Sequence, residues 1–123
     1  MNDELPPLGD LEHELMAILW AHGEMTAGEV RKYVTRKLKD ATIRTVLRRL
    51  EEKGYVIHSV GTGTFIYRPT ESADATAANA VKGLVDRFCG GSLERVLKAL
   101  VDATVTSPQE LAAIAEKLKR KSR

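Results

Sequence analysis

Between Tyr55 and Arg68 the apolar rhythm of this chain changes, and that change limits the folds open to it. Tyr55-Val56-Ile57-His58-Ser59-Val60 and Thr64-Phe65-Ile66-Tyr67-Arg68 are β-branched and aromatic, with Gly61-Thr62-Gly63 between them. Two such runs around a glycine-rich turn predict a β-hairpin, because glycine takes the positive φ that hairpin turns require. Pro69 closes the second run, having no N–H to give to a ladder. On both sides of this insert the period is helical.

Ahead of the hairpin, Leu11, Leu15, Ile18, Leu19 and His22 repeat at helical spacing, with Asp10 as a cap and Gly23 as a stop. Thr26-Ala27-Gly28-Glu29 has the Ser/Thr-x-x-Glu form of a capping box. It predicts a second helix reaching about Leu38, with Val30, Tyr33 and Val34 turned inward. A third helix starts near Asp40, carries Ile43, Val46, Leu47 and Leu50 on one face, and ends at Gly54. Helix-helix-helix-hairpin is the order of a winged helix-turn-helix.

Beyond the hairpin the pattern is helical again. Ala77, Val81, Leu84, Val85 and Phe88 form a stripe that Gly90-Gly91 ends. Ser92 caps a helix with Leu93, Val96, Leu97, Leu100 and Val101, and Ser107-Pro108-Gln109-Glu110 opens a last one with Leu111, Ile114, Ala115 and Leu118. Three single stripes in so short a segment make a poor independent core, so a second copy of the chain is the expected cover. The expected fold class is mainly α with a small β-hairpin (α+β). A winged-helix DNA-binding domain is placed at 1–70 and a helical dimerisation domain at 71–123. The dimerisation residues are Val81, Leu84, Val85, Phe88, Val96, Leu97, Leu100, Leu111, Ile114 and Leu118.

Aromatic residues make up only 5% of the chain, which favours aliphatic helix packing over a β-sandwich. The single cysteine, Cys89, excludes an intrachain disulfide and reads as a small buried residue. No apolar run approaches a membrane span, and the acidic start Met1-Asn2-Asp3-Glu4-Leu5 lacks the basic-then-apolar order of a signal peptide. A cytoplasmic protein without a membrane association is expected. His13, His22 and His58 are scattered, and no nucleophile, metal or phosphate-loop motif joins them. An enzyme, a metal site and a cofactor are therefore not expected.

Charge is segregated. Residues 1–24 hold six acids and no Lys or Arg, whereas residues 31–53 hold nine bases against three acids. A local basic block inside a folded segment is the footprint of a polyanion partner. If Ile43, Val46, Leu47 and Leu50 face the core, the opposite face of the third helix carries Ala41, Arg44, Thr45, Arg48 and Glu52, with Thr42 and Arg49 on its flanks. A helix fits the major groove of DNA, where arginine bonds guanine O6 and N7 and a threonine methyl meets thymine. The competing reading pairs these arginines with Asp40, Glu51 or Glu52, for tenths of a kcal/mol. The hairpin tip offers Thr62 and Thr64 to phosphate but carries no base before Arg68. Two other readings fit a winged helix: a protein-interaction module using the acidic segment, and a ligand sensor with Asn79, Arg87 and Thr104 as its polar groups.

The same residues resemble the penicillinase-repressor (BlaI/MecI) family of bacterial winged-helix repressors. The likeness runs through Leu8-Gly9-Asp10-Leu11-Glu12, Leu15-Met16-Ala17-Ile18-Leu19-Trp20 and Thr26-Ala27-Gly28-Glu29-Val30. It continues in Thr42-Ile43-Arg44-Thr45-Val46-Leu47-Arg48-Arg49-Leu50-Glu51-Glu52-Lys53-Gly54-Tyr55 and Tyr67-Arg68-Pro69. The resemblance implies a homodimer on inverted-repeat operators, repressing genes such as those of β-lactam resistance. It implies Thr42, Arg44, Thr45 and Arg49 as helix contacts, with Lys53 and Tyr67 supporting a phosphate contact. It also implies release by a membrane sensor protease. Here the stretch where staphylococcal members carry an Asn-Phe scissile bond reads Val96-Leu97-Lys98-Ala99-Leu100-Val101. The C-terminal cysteine cluster of copper-responsive relatives is absent from the tail Lys117–Arg123.

Overall fold

The computed structural model describes residues 5–121, so Asp3, Glu4 and the end of the basic tail lie outside the described residues. The elements are α1 (Asp10–His22), β1 (Met25–Thr26), α2 (Ala27–Tyr33), α3 (Asp40–Glu52), β2 (Val56–Val60), β3 (Phe65–Pro69), α4 (Ala73–Phe88), α5 (Leu93–Asp102) and α6 (Pro108–Lys121). The strands form an antiparallel sheet in the order β1-β3-β2. A mainly helical chain with a small hairpin is what the change of period led one to expect. Strand β1 is new: two residues are too few to show alternation.

The chain divides into two compact units that meet at the Ala80–Val81 junction, within α4. In the first unit, Leu15, Met16, Leu19, Val30, Ile43, Leu47, Leu50 and Val56 are fully buried. All four apolar positions expected on α3 lie in this core. Thr26 links its parts: it pairs with Ile66 in the sheet, and its hydroxyl accepts from the Glu29 amide to cap α2. The Glu29 carboxylate accepts from the Thr26 amide in return, completing the capping box.

Several boundaries differ from expectation for local reasons. Gly9, not Asp10, is the cap of α1, and its amide donates to Glu12 Oε1 at 2.8 Å. Helix α2 stops at Tyr33 rather than Leu38 because Glu14 Oε2 takes the Thr35 amide at 2.7 Å and the Thr35 hydroxyl at 2.9 Å. That amide would otherwise have bonded the Arg31 carbonyl and carried the helix on. Tyr33 is 53% exposed and packs its ring on His22 instead of entering the core.

Within the second unit, Ser92 caps α5 through the Arg95 amide. The Ser107 hydroxyl accepts from the Glu110 amide, but the Glu110 carboxylate accepts from the Thr106 hydroxyl, so only half of a capping box forms at the start of α6. Neither α5 nor α6 has a buried residue. Val81, Leu84, Phe88, Ile114 and Leu118 are exposed, and Val96, Leu97, Leu100 and Leu111 are half-buried. Val85 is buried, at 8% exposure. Cys89 is half-buried. Among the described residues no helix is long and apolar enough to cross a membrane.

Candidate nucleic-acid interface

Helix α3 buries one face so completely that its other face is fixed in direction. With Ile43, Val46, Leu47 and Leu50 inside, Arg44, Thr45, Arg48 and Arg49 are exposed and Thr42 is half-buried at the edge. Among the described residues no ion pair within 4 Å holds Arg44, Arg48 or Arg49. The pairing with Asp40 or Glu52 that would have made these arginines a solvated face is therefore not formed. Asp40 bonds Arg31 at 3.1 Å instead. Of the nine bases in 31–53, Arg31, Arg36 and Lys53 are in pairs and the other six are in none among the described residues.

Thr45 spends its hydroxyl within the helix, donating to the Ala41 carbonyl at 2.9 Å. The outward part of this side chain is thereby its methyl group. A back-bonded threonine is chemically an alanine with an extra methyl, suited to an apolar partner rather than to a hydrogen bond.

Lys53 lies apart from this face. Its ammonium donates to Glu12 Oε1 at 2.8 Å and to the Pro7 carbonyl at 3.1 Å. A phosphate would have to compete with a buried carboxylate for it, so the residue ties the end of α3 to the start of α1. Burial alone would raise the Glu12 carboxyl, but the Gly9 amide and the Lys53 ammonium outweigh it and hold the group below its ordinary value.

The hairpin follows α3 through Gly54; its first strand, β2, packs against α3, and its second, β3, against α1 and α2. Gly61 N–H donates to the Thr64 carbonyl at 2.8 Å, which leaves Thr62 and Thr64 exposed at the tip. Only Gly63 of the two turn glycines has a positive φ, 78°. At Gly61 the constraint is space: a Cβ there would stand 2.9 Å from Ile66 Cδ1. Tyr67 is buried, and its hydroxyl makes no hydrogen bond among the described residues. Burial, helped by the Glu51 carboxylate, raises that hydroxyl's pKa against the opposing pull of Arg48 and Arg44. It is therefore a neutral donor beside the α3 arginines.

A contact that the sequence reading missed joins wing and helix. His58 Nδ1 lies 2.7 Å from one oxygen of Glu51 and 2.8 Å from the other. The imidazole also stacks on Phe65, with ring centres 4.1 Å apart and planes at 17°. Strand register puts His58 opposite Tyr67. A signal was present, since Glu51 stands two helical turns after Arg44 and hence on the same side. Nothing in the spacing tied it to a histidine across the turn.

Known proteins place this arrangement. Residues 8–120 match the family model described as penicillinase repressor. The chain is 26% identical over 110 residues to the penicillinase repressor of Bacillus licheniformis, covering 88% of this chain and 86% of that one. An uncharacterised 16.5 kDa protein of Latilactobacillus sakei, from the ptsI 3′ region, is 27% identical over 113 residues, 90% of this chain and 77% of that one. Among solved structures, the DNA-binding domain of the repressor BlaI superposes with a TM-score of 0.52 and 32% identity, over 57% of this chain and 88% of that one. YusO of Bacillus subtilis shares the fold at a TM-score of 0.50 and 18% identity, over 92% of this chain and 75% of that one. A capped helix-turn-helix, a basic α3 face whose arginines make no ion pair among the described residues, a three-stranded sheet with its hairpin and a match over residues 8–120 converge on one assignment: the chain belongs to the penicillinase repressor family of winged-helix transcription regulators.

Proposed function

We propose that this chain represses transcription by binding an inverted-repeat operator as a homodimer, with α3 in the major groove and the wing on the adjoining backbone. The observation that carries the reading is the state of α3: its apolar face is wholly consumed by the core, while Arg44, Arg48 and Arg49 are exposed and unpaired among the described residues. Cations held out of internal pairs keep their full attraction for phosphate and for the guanine edge. Arg44, Arg48 and the Thr45 methyl read bases; Thr42 and Arg49 flank them. Thr62, Thr64 and the Tyr67 hydroxyl bond phosphate. Lys53 acts at one remove, through Glu12.

The dimer is supported by the exposed apolar residues Val81, Leu84, Phe88, Ile114 and Leu118, which a lone chain leaves in water. A two-fold pair of α3 helices calls for half-sites one helical turn, or a multiple of it, apart. The family's sensor protease is the candidate releasing partner. In this chain α5 would offer it Val96-Leu97-Lys98-Ala99-Leu100-Val101, which lacks an Asn-Phe bond. A repressor of this kind works where its DNA is, in the cytoplasm.

The test is selection of bound duplexes from random-sequence DNA, followed by affinity measurement across a salt series. The expected result is a two-fold symmetric site, an affinity falling steeply with salt as counterions are displaced, and relaxed base preference in Arg44→Ala. An Arg44→Ala protein with unchanged preference would remove α3 from the reading.

A further inference from the structure

We propose that His58 is a positioning residue for DNA recognition, because it withdraws the Glu51 carboxylate from Arg48 and Arg44. The inference rests on the DNA-binding reading of α3 and extends it to the wing.

Glu51 is an acid in the wrong place for a DNA-binding face. It follows Arg48 by three residues and Arg44 by seven, so all three rise from one side of α3. A free carboxylate at that spacing would bond an arginine and draw the guanidinium back along the helix. It would also repel an approaching phosphate. In the structure neither arginine is within ion-pair distance of it. Its two oxygens lie 2.7 and 2.8 Å from His58 Nδ1. Against an ionised carboxylate only an N–H fits at those distances, so this nitrogen carries the hydrogen and donates it. The stack on Phe65 fixes the plane of the imidazole and hence the direction of that donor.

The charged and titratable groups around the pair come from both packed elements. Arg44 and Arg48 belong to α3 with Glu51, and Tyr67 faces His58 across the β2–β3 ladder. The Tyr67 hydroxyl feels Glu51 in one direction and the two arginines in the other, which puts all of these groups in one neighbourhood. Of the donors there, histidine is the one that reads no DNA in the proposal. Its bond to Glu51 costs the reading face nothing.

The experiment compares single and double variants of the full chain. Affinity is measured by fluorescence anisotropy at fixed salt, for the duplex that the wild-type protein recovers from random-sequence DNA. His58→Leu removes the donor and is expected to weaken binding about tenfold, as Glu51 turns to Arg48. Adding Glu51→Gln removes the competing charge and is expected to restore affinity to within about threefold of wild type. His58→Gln, which keeps an N–H donor, is expected to bind within about threefold and also serves if the leucine variant unfolds. A merely structural histidine gives a different pattern, with the double variant no better than His58→Leu. That pattern, or unchanged binding by His58→Leu, would overturn the inference and leave the DNA-binding reading standing. A wild-type protein that recovers no duplex would overturn both.

Discussion

Lys53, at the end of α3, donates to Glu12 in the first turn of α1 at 2.8 Å, across 41 residues of sequence. The carboxylate is 8% exposed and the ammonium 29%, so the pair is shielded on the acid's side and open on the base's. Among the described residues Glu12 Oε2 has no hydrogen-bond partner, so the carboxylate depends on what Oε1 accepts from the Gly9 amide and the Lys53 ammonium. Lys53→Met should therefore destabilise the fold by about 3 kcal/mol, the cost of leaving a buried charge without its partner. Adding Glu12→Leu should recover most of that loss. Urea unfolding of the two variants checks both. A single variant as stable as wild type would show the pair to be inert.

Acid should unfold the protein through the same region. Glu12, Glu14 and Glu29 are all held below their ordinary carboxyl values in the folded chain. For Glu14 the cause is the amide and hydroxyl of Thr35, and for Glu29 those of Thr26. A carboxyl lowered on folding binds its proton more readily when unfolded. The stabilisation is thus complete above the unfolded value and is lost as pH falls through the folded one. The urea midpoint is expected to drop below about pH 4, and to drop less steeply in the Glu12→Leu, Lys53→Met double variant. Identical slopes would clear Glu12 of any part in acid unfolding.

Gly54→Ala should cost about 1–2 kcal/mol, because the residue has a φ of 92° that an L side chain adopts only with strain. Space makes it worse: a Cβ there would stand 3.2 Å from Leu5 Cδ2. Thermal unfolding reads the effect directly. Gly23 has a comparable φ and open surroundings, so Gly23→Ala should show the backbone cost alone.

The back-bonded hydroxyl of Thr45 separates two substitutions that look equally mild. Thr45→Val keeps the outward methyl and should bind the selected duplex within about twofold of wild type. Thr45→Ser keeps the hydroxyl, loses the methyl, and should weaken binding roughly fourfold, the ~0.8 kcal/mol of one buried methyl group. The reverse order would mean that the hydroxyl leaves Ala41 to make a contact of its own.

Phe88 is 70% exposed and Leu118 60%. On the proposed dimer, Phe88→Asp with Leu118→Asp should shift sedimentation equilibrium from two chains toward one. DNA affinity should fall with it, since each half-site is then bound alone. A variant that still sediments as a dimer would place the interface elsewhere.

The first unit was legible in the sequence because its signals were redundant. Ile43, Val46, Leu47 and Leu50 have one period, one polarity and one destination, and all are buried. Thr26 and Glu29 announced a cap that forms in full. What escaped notice was set by competition between partners far apart in the chain. Glu14 truncates α2 from a different helix, and Glu51 finds His58 rather than Arg48. Lys53 reads as one more base in a basic block until Glu12 is seen beneath it. Spacing says which face a side chain occupies; it does not say which of several opposite charges will win it.

Thr26 is both a rung of the sheet, opposite Ile66, and the cap of α2. One residue thus welds the wing to the helix-turn-helix, and the distance from α3 to the wing tip becomes a built-in dimension, like the gap of a fixed caliper. On the proposed reading the duplex conforms to that gap, because moving the wing away from α2 would break the Thr26 rung or its cap. Base steps that bend or narrow at low cost would then be favoured beneath the wing, where Thr62 and Thr64 touch only backbone. The operator would be chosen partly for its stiffness, at positions that no side chain reads.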